Sequence, residues 1–335
     1  MTTEHNIRLT SAEIGSLWLQ YITDSMATCI MTFFLNKTED AQIRPVLEYA
    51  ISLSRSHLQA IDAIFRQEDF PTPTGFTDKD VSINAPRLFC DPYHLTYVKN
   101  SAKSGMIAYG LSLSLSARRD VRDFLLECLK TSADLDEMAT QVMLSKGIYV
   151  RPPYITVPDR VEYVKNDQFL GSLFGKQRPL SALEISHLFL NAQSNSVAKA
   201  LLIGFSQVAH SRDLRQLFVK GAQIADKHIE IFGQSLKESG LPAPMSLDSD
   251  IMDTLIAPFS DKLMLFHVTL LMGMGLGYYA AAVGASARID LVADYGRLSA
   301  EIEKYVFDCE KVMANNSWME EPPLADDRNE LALSH

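Results

Sequence analysis

The sequence predicts an all-α protein, a tandem duplication of one four-helix bundle. Three observations lead there. The chain repeats itself, its apolar residues fall in long stretches between prolines and helix-capping residues, and Gly 16 and Pro 14 in 335 residues are too few for a turn-dense β protein. The length suits two units of about 150 residues each, and 47% hydrophobic residues supply the apolar surface that two such units must bury. Lys+Arg 31 against Asp+Glu 41 give a net charge of -10, the wrong sign for collecting phosphates, so no nucleic acid is expected as a partner.

The repeat runs through special residues as well as apolar ones. At a shift of 171 residues Thr10/Ser181, Glu13/Glu184, Arg44/Arg215, His57/His228, Pro71/Pro242 and Pro73/Pro244 coincide. At a shift of 170 the register continues with Phe89/Phe259, Asp91/Asp261, Gly105/Gly275 and Tyr109/Tyr279. It ends on the Ser-Ala-Arg-x-Asp segments at 116–120 and 286–290 and on Pro152-Pro153/Pro322-Pro323.

Each unit reads as four helices. The first opens at Thr10 or Ser181, with Glu13 or Glu184 three positions on to complete a capping box, and runs to about 36 or 210. After a short polar turn the second covers about 40–68 or 212–239. It stops before Phe70-Pro71-Thr72-Pro73 or Leu241-Pro242-Ala243-Pro244, because proline lacks the amide a helix needs. The third begins near Asp91 or Ser260, and the fourth follows the Ser-Ala-Arg-x-Asp turn to about Lys146 or Asn315. The connection between the second and third helices, about 20 residues, reaches about 60 Å when extended, against roughly 40 Å for the helices it joins. It can carry the chain back along the whole bundle, so that these two helices run parallel, as in ferritin-like bundles with one long crossover.

The expected division is therefore a first bundle over 1–150, a Pro-rich linker over 151–178, a second bundle over 179–323 and a mobile acidic tail over 324–335. Within the linker, Phe169-Leu-Gly-Ser-Leu-Phe-Gly175 is apolar and is expected to wedge between the bundles, docking on a partner being the alternative. Cys29, Cys90, Cys128 and Cys309 are scattered, with no C-x-x-C pair, which fits a reduced, intracellular setting. The polar first residues give no sign of secretion. Residues 263–287 hold no Asp, Glu, Lys or Arg and are long enough to cross a bilayer of about 30 Å. Their counterpart carries Lys99 and Lys103, so membrane insertion is the disfavoured reading. Gly273, Gly275 and Gly277 are read instead as an interface, letting a buried helix approach a neighbouring bundle or the second copy in a homodimer.

A search for ferritin-type chemistry, a Glu from two helices and Glu-x-x-His from two more, finds little. His57 is preceded at that spacing by Ser54, and His228 by Ala225. Glu184-Ile-Ser-His187 has the letters, yet Glu184 is a capping residue and the repeat holds Glu13-Ile-Gly-Ser16 there. A better candidate is Asp24, the only charge between Ile14 and Leu35, which counting along the helices places about one turn from the level of His57. The second unit has Asn195 and His228 at these positions, a neutral structural pair. The simpler reading of Asp24 and His57 is a hydrogen-bonded pair fixing helix register. The functional one is a residual metal or acid/base site confined to the first bundle, joined by Glu127 or Asp134, the metal being iron, manganese or zinc. No cofactor is otherwise expected, and no catalytic residue. His267 aligns with Tyr97 and is read as an interior polar contact, and Arg118, Arg119 and Arg122 as salt-bridged. No P-loop, G-x-G-x-x-G or G-x-S-x-G is present.

Several strings resemble a known family: Leu9-Thr-Ser-Ala-Glu-Ile14, Phe34-Leu-Asn-Lys-Thr-Glu-Asp40, Pro45-Val-Leu-Glu-Tyr-Ala50, Gly75-Phe-Thr-Asp-Lys-Asp-Val81, Asn84-Ala-Pro-Arg-Leu-Phe89, Ser145-Lys-Gly-Ile-Tyr-Val-Arg-Pro-Pro-Tyr-Ile155 and Ala200-Leu-Leu-Ile-Gly-Phe-Ser-Gln-Val-Ala209. They are similar to a duplicated family of unknown function (domain of unknown function 3231) from endospore-forming bacteria, some of whose members carry the label putative spore coat protein. The resemblance spans nearly the whole chain and implies ferritin-like bundles, but it transfers no catalytic residues. The leading expectation is a non-enzymatic structural or interaction protein associated with the spore or its coat, its partners a second copy or spore-coat proteins. The alternatives are a metal-binding ferritin-like oxidoreductase with one diverged site in the first bundle, and an apolar small-molecule or lipid-binding bundle.

Overall fold

The computed structural model describes residues 7–173 and 177–328. Among the described residues there are eight α-helices and, of β-structure, only two isolated bridges. The first half contains α1 (Ser11–Lys37), α2 (Arg44–Gln67), α3 (Asp91–Leu115) and α4 (Arg119–Ser145). The second repeats them as α5 (Ala182–Val208), α6 (Arg212–Glu238), α7 (Asp261–Ala285) and α8 (Ile289–Asn315). The protein is all-α, its helices paired α1 with α2, α3 with α4, α5 with α6 and α7 with α8.

The charges that the repeat preserves pin the corners of the bundles. Thr10 and Ser181 form capping boxes with Glu13 and Glu184. Each glutamate also reaches across its bundle: Glu13 Oε1 accepts from the amides of Ala117 and Arg118 at 2.9 and 2.8 Å, and Glu184 Oε1 from those of Ala287 and Arg288 at 3.1 and 3.0 Å. The start of the first helix is thereby tied to the start of the fourth. At the opposite end the Asp91 carboxylate accepts from the amides of Glu39 and Asp40, and that of Asp261 from His210 and Ser211. Arg44 and Arg215 donate to carbonyls of the same turns. Because Asp91 opens α3 beside the turn that leads into α2, the crossover has returned the chain to the end where α2 began. The second and third helices of each half therefore run parallel, as the crossover length predicts.

The two crossovers are also where the halves join. Val81 bridges to Phe259 and Phe89 to Ile251, and since 81/251 and 89/259 are repeat equivalents, these are one contact made twice around a pseudo-twofold axis. The amides obey the same symmetry: Ser82 donates to Pro258 and Met252 to Leu88, Cys90 to Asp250 and Ser260 to Asp80, all at 2.7–2.9 Å. On the axis, Tyr97 Oη lies 2.8 Å from Nε2 of His267, its own repeat counterpart. One hydrophobic core runs unbroken from Ile22 and Phe34 in the first half to Phe205, Tyr279 and Met313 in the second, with a small satellite around Leu17, Phe65 and Leu125.

The linker differs from its expectation. Its described residues lie on the surface, Leu170 and Leu173 exposed and Phe169 covered on one face by the Arg178 guanidinium at 4.1 Å, so they do not wedge between the bundles. The remainder of that segment, 174–176, and tail residues 329–335 lie outside the described residues. Before the tail, Glu320 accepts from the amides of Thr74 and Gly75, fastening the end of the second half to the first crossover. Among the described residues α7 is the helix long and apolar enough to cross a membrane, and 28% of that stretch is buried. Gly273 and Gly277 face outward with no atom within 4 Å of where a Cβ would stand, and at Gly275 the nearest is Ile302 at 4.0 Å, so no close approach within the molecule uses these three glycines.

Candidate functional site

With the shared charges committed to corners, what remains to distinguish the halves is their interiors. In the second bundle a closed polar chain fills the centre. Asn195 Nδ2 donates to Tyr279 Oη at 2.9 Å, Tyr279 Oη lies 2.9 Å from His228 Nδ1, and His228 Nε2 lies 3.1 Å from the Glu301 carboxylate. A carboxylate can only accept, so Nε2 carries the proton and Nδ1 accepts from the tyrosine. Burial lowers the pKa of His228 despite Glu301, which keeps the ring neutral. Asn195 and His228 are not bonded to each other; Tyr279 stands between them and bonds to both.

In the first bundle the pair is direct. His57 Nδ1 lies 3.2 Å from Asp24 Oδ2, both side chains nearly buried. Burial pulls the His57 pKa down, but the Asp24 carboxylate and the Cys128 thiol together push it up to about 10, so the ring is an imidazolium at neutral pH. Gln20 Nε2 approaches Cys128 Sγ at 3.6 Å. Glu127 and Asp134 do not join the pair, and no group of three or more metal-ligating side chains occurs among the described residues. Glu184 of the Glu-x-x-His match is engaged by Arg178 as well as by its backbone amides, and His187 stands apart from it. Arg118 pairs with Asp120 and Glu68, and Arg122 caps carbonyls at the end of α3.

Beside Asp24 and His57 the first bundle is hollow. A cavity of about 470 Å³ lies among α1, α2, α3, α4 and α7, walled mostly by apolar groups such as Met26, Met31, Leu53, Leu135, Leu271 and Met274. It opens between α1 and α3, where Gly15, Leu19, Ala108 and Leu111 are exposed. The repeat explains the hollow. Ala108, Ser132 and Leu135 line it, and their counterparts are Tyr278, Ile302 and Tyr305, all buried. Tyr278 bonds to Ser104 at 2.8 Å, and Tyr305 reaches the Leu217 carbonyl past Gly221, whose counterpart is Ala50. Beside Gly275 and Tyr278 only about 30 Å³ remains, room for a water. His267, held neutral by burial with its pKa near 3, lines the inner end of the large cavity, its Nδ1 without a partner.

Residues 1–161 and 168–331 each match the family described as Protein of unknown function (DUF3231). The chain belongs to that family. Its two DUF3231 matches coincide with the two halves of the repeat. A crystal structure of a putative spore coat protein from Bacillus halodurans C-125 is similar to the chain at 17% identity and a TM-score of 0.41, over 45% of this chain and 98% of that one. No curated protein matches the chain. The sequence signal that could have located the cavity was already in the repeat: at aligned positions the first unit has the smaller residue, Ala108 for Tyr278 and Leu135 for Tyr305.

Proposed function

We propose that the protein is a non-enzymatic binding protein whose first bundle is a chamber for an apolar small molecule, the second bundle being its filled, structural copy. The cavity carries this reading. Its volume falls within the range of about 300–1,000 Å³ usual for small-ligand sites, and its exposed wall is mainly apolar with polar groups interspersed. Left empty, such a space forfeits packing, and each methylene buried in it returns about 0.8 kcal/mol.

The test is to extract purified protein with organic solvent, identify what is released by mass spectrometry, and compare wild type with Ala108→Tyr, which places in the first bundle the side chain that fills the second. Stoichiometric release of an apolar molecule from the wild type and its loss from the variant are expected. Equal release from both, or equal binding of an added apolar fluorophore, would refute the chamber. The labels carried by relatives extend the proposal to association with the spore or its coat, with a coat protein or a second copy as partner. Fluorescence localisation during sporulation decides that part, and a uniform signal with none in the spore removes it.

A further inference from the structure

The shape and polar wall of the chamber narrow what it can hold, an inference that rests on the binding reading above. The lining residues run along α1 from Gly15 to Met31 and along α3 from Tyr97 to Ser112, about 24 and 22 Å at 1.5 Å per residue. Spread over that length, a space of about 470 Å³ is elongated rather than round, and it suits an extended chain lying along the two helices.

Serines, Asn100 and His267 are scattered along the wall, and its carboxylate lies where Gln20, Asp24, His57 and Tyr109 line the space. The second bundle shows what these positions do when no ligand is needed: Tyr279 binds both Asn195 and His228 and closes the polar chain on itself. Its counterpart Tyr109 packs edge-on against His57, ring centres 5.8 Å apart, and its hydroxyl makes no hydrogen bond among the described residues. Asp24 spends Oδ2 on His57, leaving Oδ1 as an acceptor. A donor and an acceptor are therefore left open on either side of His57. The charge of the wall is zero wherever the shared proton sits, since Asp24 and His57 sum to nothing as ion pair or as neutral pair. No other carboxylate and no ammonium lines the cavity.

We infer that the chamber takes an uncharged single-chain amphiphile, with a hydroxyl-type group that both gives and accepts a hydrogen bond seated between Tyr109 and Asp24 and its chain extended along α1 and α3. A fatty carboxylate would bring a second negative charge beside Asp24, and an alkylammonium a second positive charge beside His57. Either would be unpaired in apolar surroundings, which costs several kcal/mol.

The experiment is displacement of the uncharged fluorophore Nile red from the full chain at pH 7 by 1-dodecanol, dodecanoate and dodecylammonium. The alcohol is expected to compete at least about tenfold more tightly than either ion. Tyr109→Phe, which removes one oxygen, is expected to reduce the alcohol's advantage severalfold while Nile red still binds. Asp24→Asn leaves His57 without its counter-charge and is expected to shift preference toward dodecanoate. If either ion binds the native protein as tightly as the alcohol, the uncharged head is wrong although the chamber stands. If neither Nile red nor any of the three binds, the chamber itself is wrong, and the inference falls with it.

Discussion

Aligned histidines in the two halves are held in opposite charge states although each meets a carboxylate. Asp24 offers His57 a nearly buried anionic oxygen, whereas the Glu301 carboxylate beside His228 is part-exposed and burial of the ring outweighs it. His57 is held charged, its pKa raised from 6.5 to about 10, and His228 is held neutral, its pKa lowered. The linkage signs follow. The His57 contribution to stability is complete below about pH 6.5 and disappears as the pH rises toward 10, while the His228 contribution is present above 6.5 and fades below it. Asp24→Asn is expected to cost about 1.5–3 kcal/mol at pH 6, the worth of a hydrogen bond to a charged group, and progressively less toward pH 10, as urea titrations at the two pH values would read. A deficit independent of pH would mean that the pair is not an ion pair. Asp24 was legible in the sequence because nothing else charged lies between Ile14 and Leu35, but Tyr279 was not, since no pattern links it to Asn195 across 84 positions. The corner glutamates make a second contrast at this scale. Glu184 is gripped by Arg178 in addition to the amides, and its pKa falls to about 2, against burial, because those donors favour the anion. At the position of Arg178 the first unit has Ile7, so Glu13 holds only amides and Thr10. Glu184→Ala is expected to cost about 1.5–3 kcal/mol, because it removes the charged acceptor shared by the half-buried Arg178 and the amides of Ser181, Ala287 and Arg288. Glu13→Ala should cost less, as thermal melts of the two variants would show.

Helix ends were legible to within a few residues because they are local chemistry: a capping box at Thr10, prolines after α2, the repeated turn before α4. The close approaches between helices were not, because each depends on a partner far along the chain. Gly273, Gly275 and Gly277 make no close approach within the molecule, whereas Gly204 sits under Phe89 of the other half, so near that an added Cβ would lie 2.6 Å from the ring. The symmetric position holds Phe33, which packs edge-on against Phe259 with ring centres 5.3 Å apart. One aromatic pair and one glycine–aromatic pair thus serve the same place in the two crossovers. Gly204→Ala inserts a methyl where nothing can yield without moving Phe89 and the bridge to Ile251, and it is expected to destabilise by about 1–3 kcal/mol although alanine is the better helix former. A stabilised variant in chemical denaturation would show that the crossover shifts freely.

At the scale of the molecule, a chain of two repeat units was legible in the register of Pro, Gly and His pairs, but the single core was not, since a repeat says that units are alike and nothing of how they meet. The structure joins them as a homodimer would be joined, by self-complementary contacts around an axis through Tyr97 and His267. The covalent link contributes little to that junction, because the described linker residues run over the surface with Tyr154, Val157, Val161 and Tyr163 more than four-fifths exposed. The halves should therefore stay together when the linker is cut. Limited proteolysis is expected to nick first within 154–164, where extended, exposed backbone meets a protease most readily, and the two fragments should co-elute at the size of the intact protein. Calorimetry of the nicked and intact forms should each give one transition, the nicked form melting lower and dependent on concentration because its unfolding has become a dissociation. Fragments that separated under native conditions would place the stability within each bundle. The bridges between Val81 and Phe259 and between Phe89 and Ile251 would then be contacts that the linker enforces, whereas co-elution would make them the interface that lets a hollow bundle be built against a filled one.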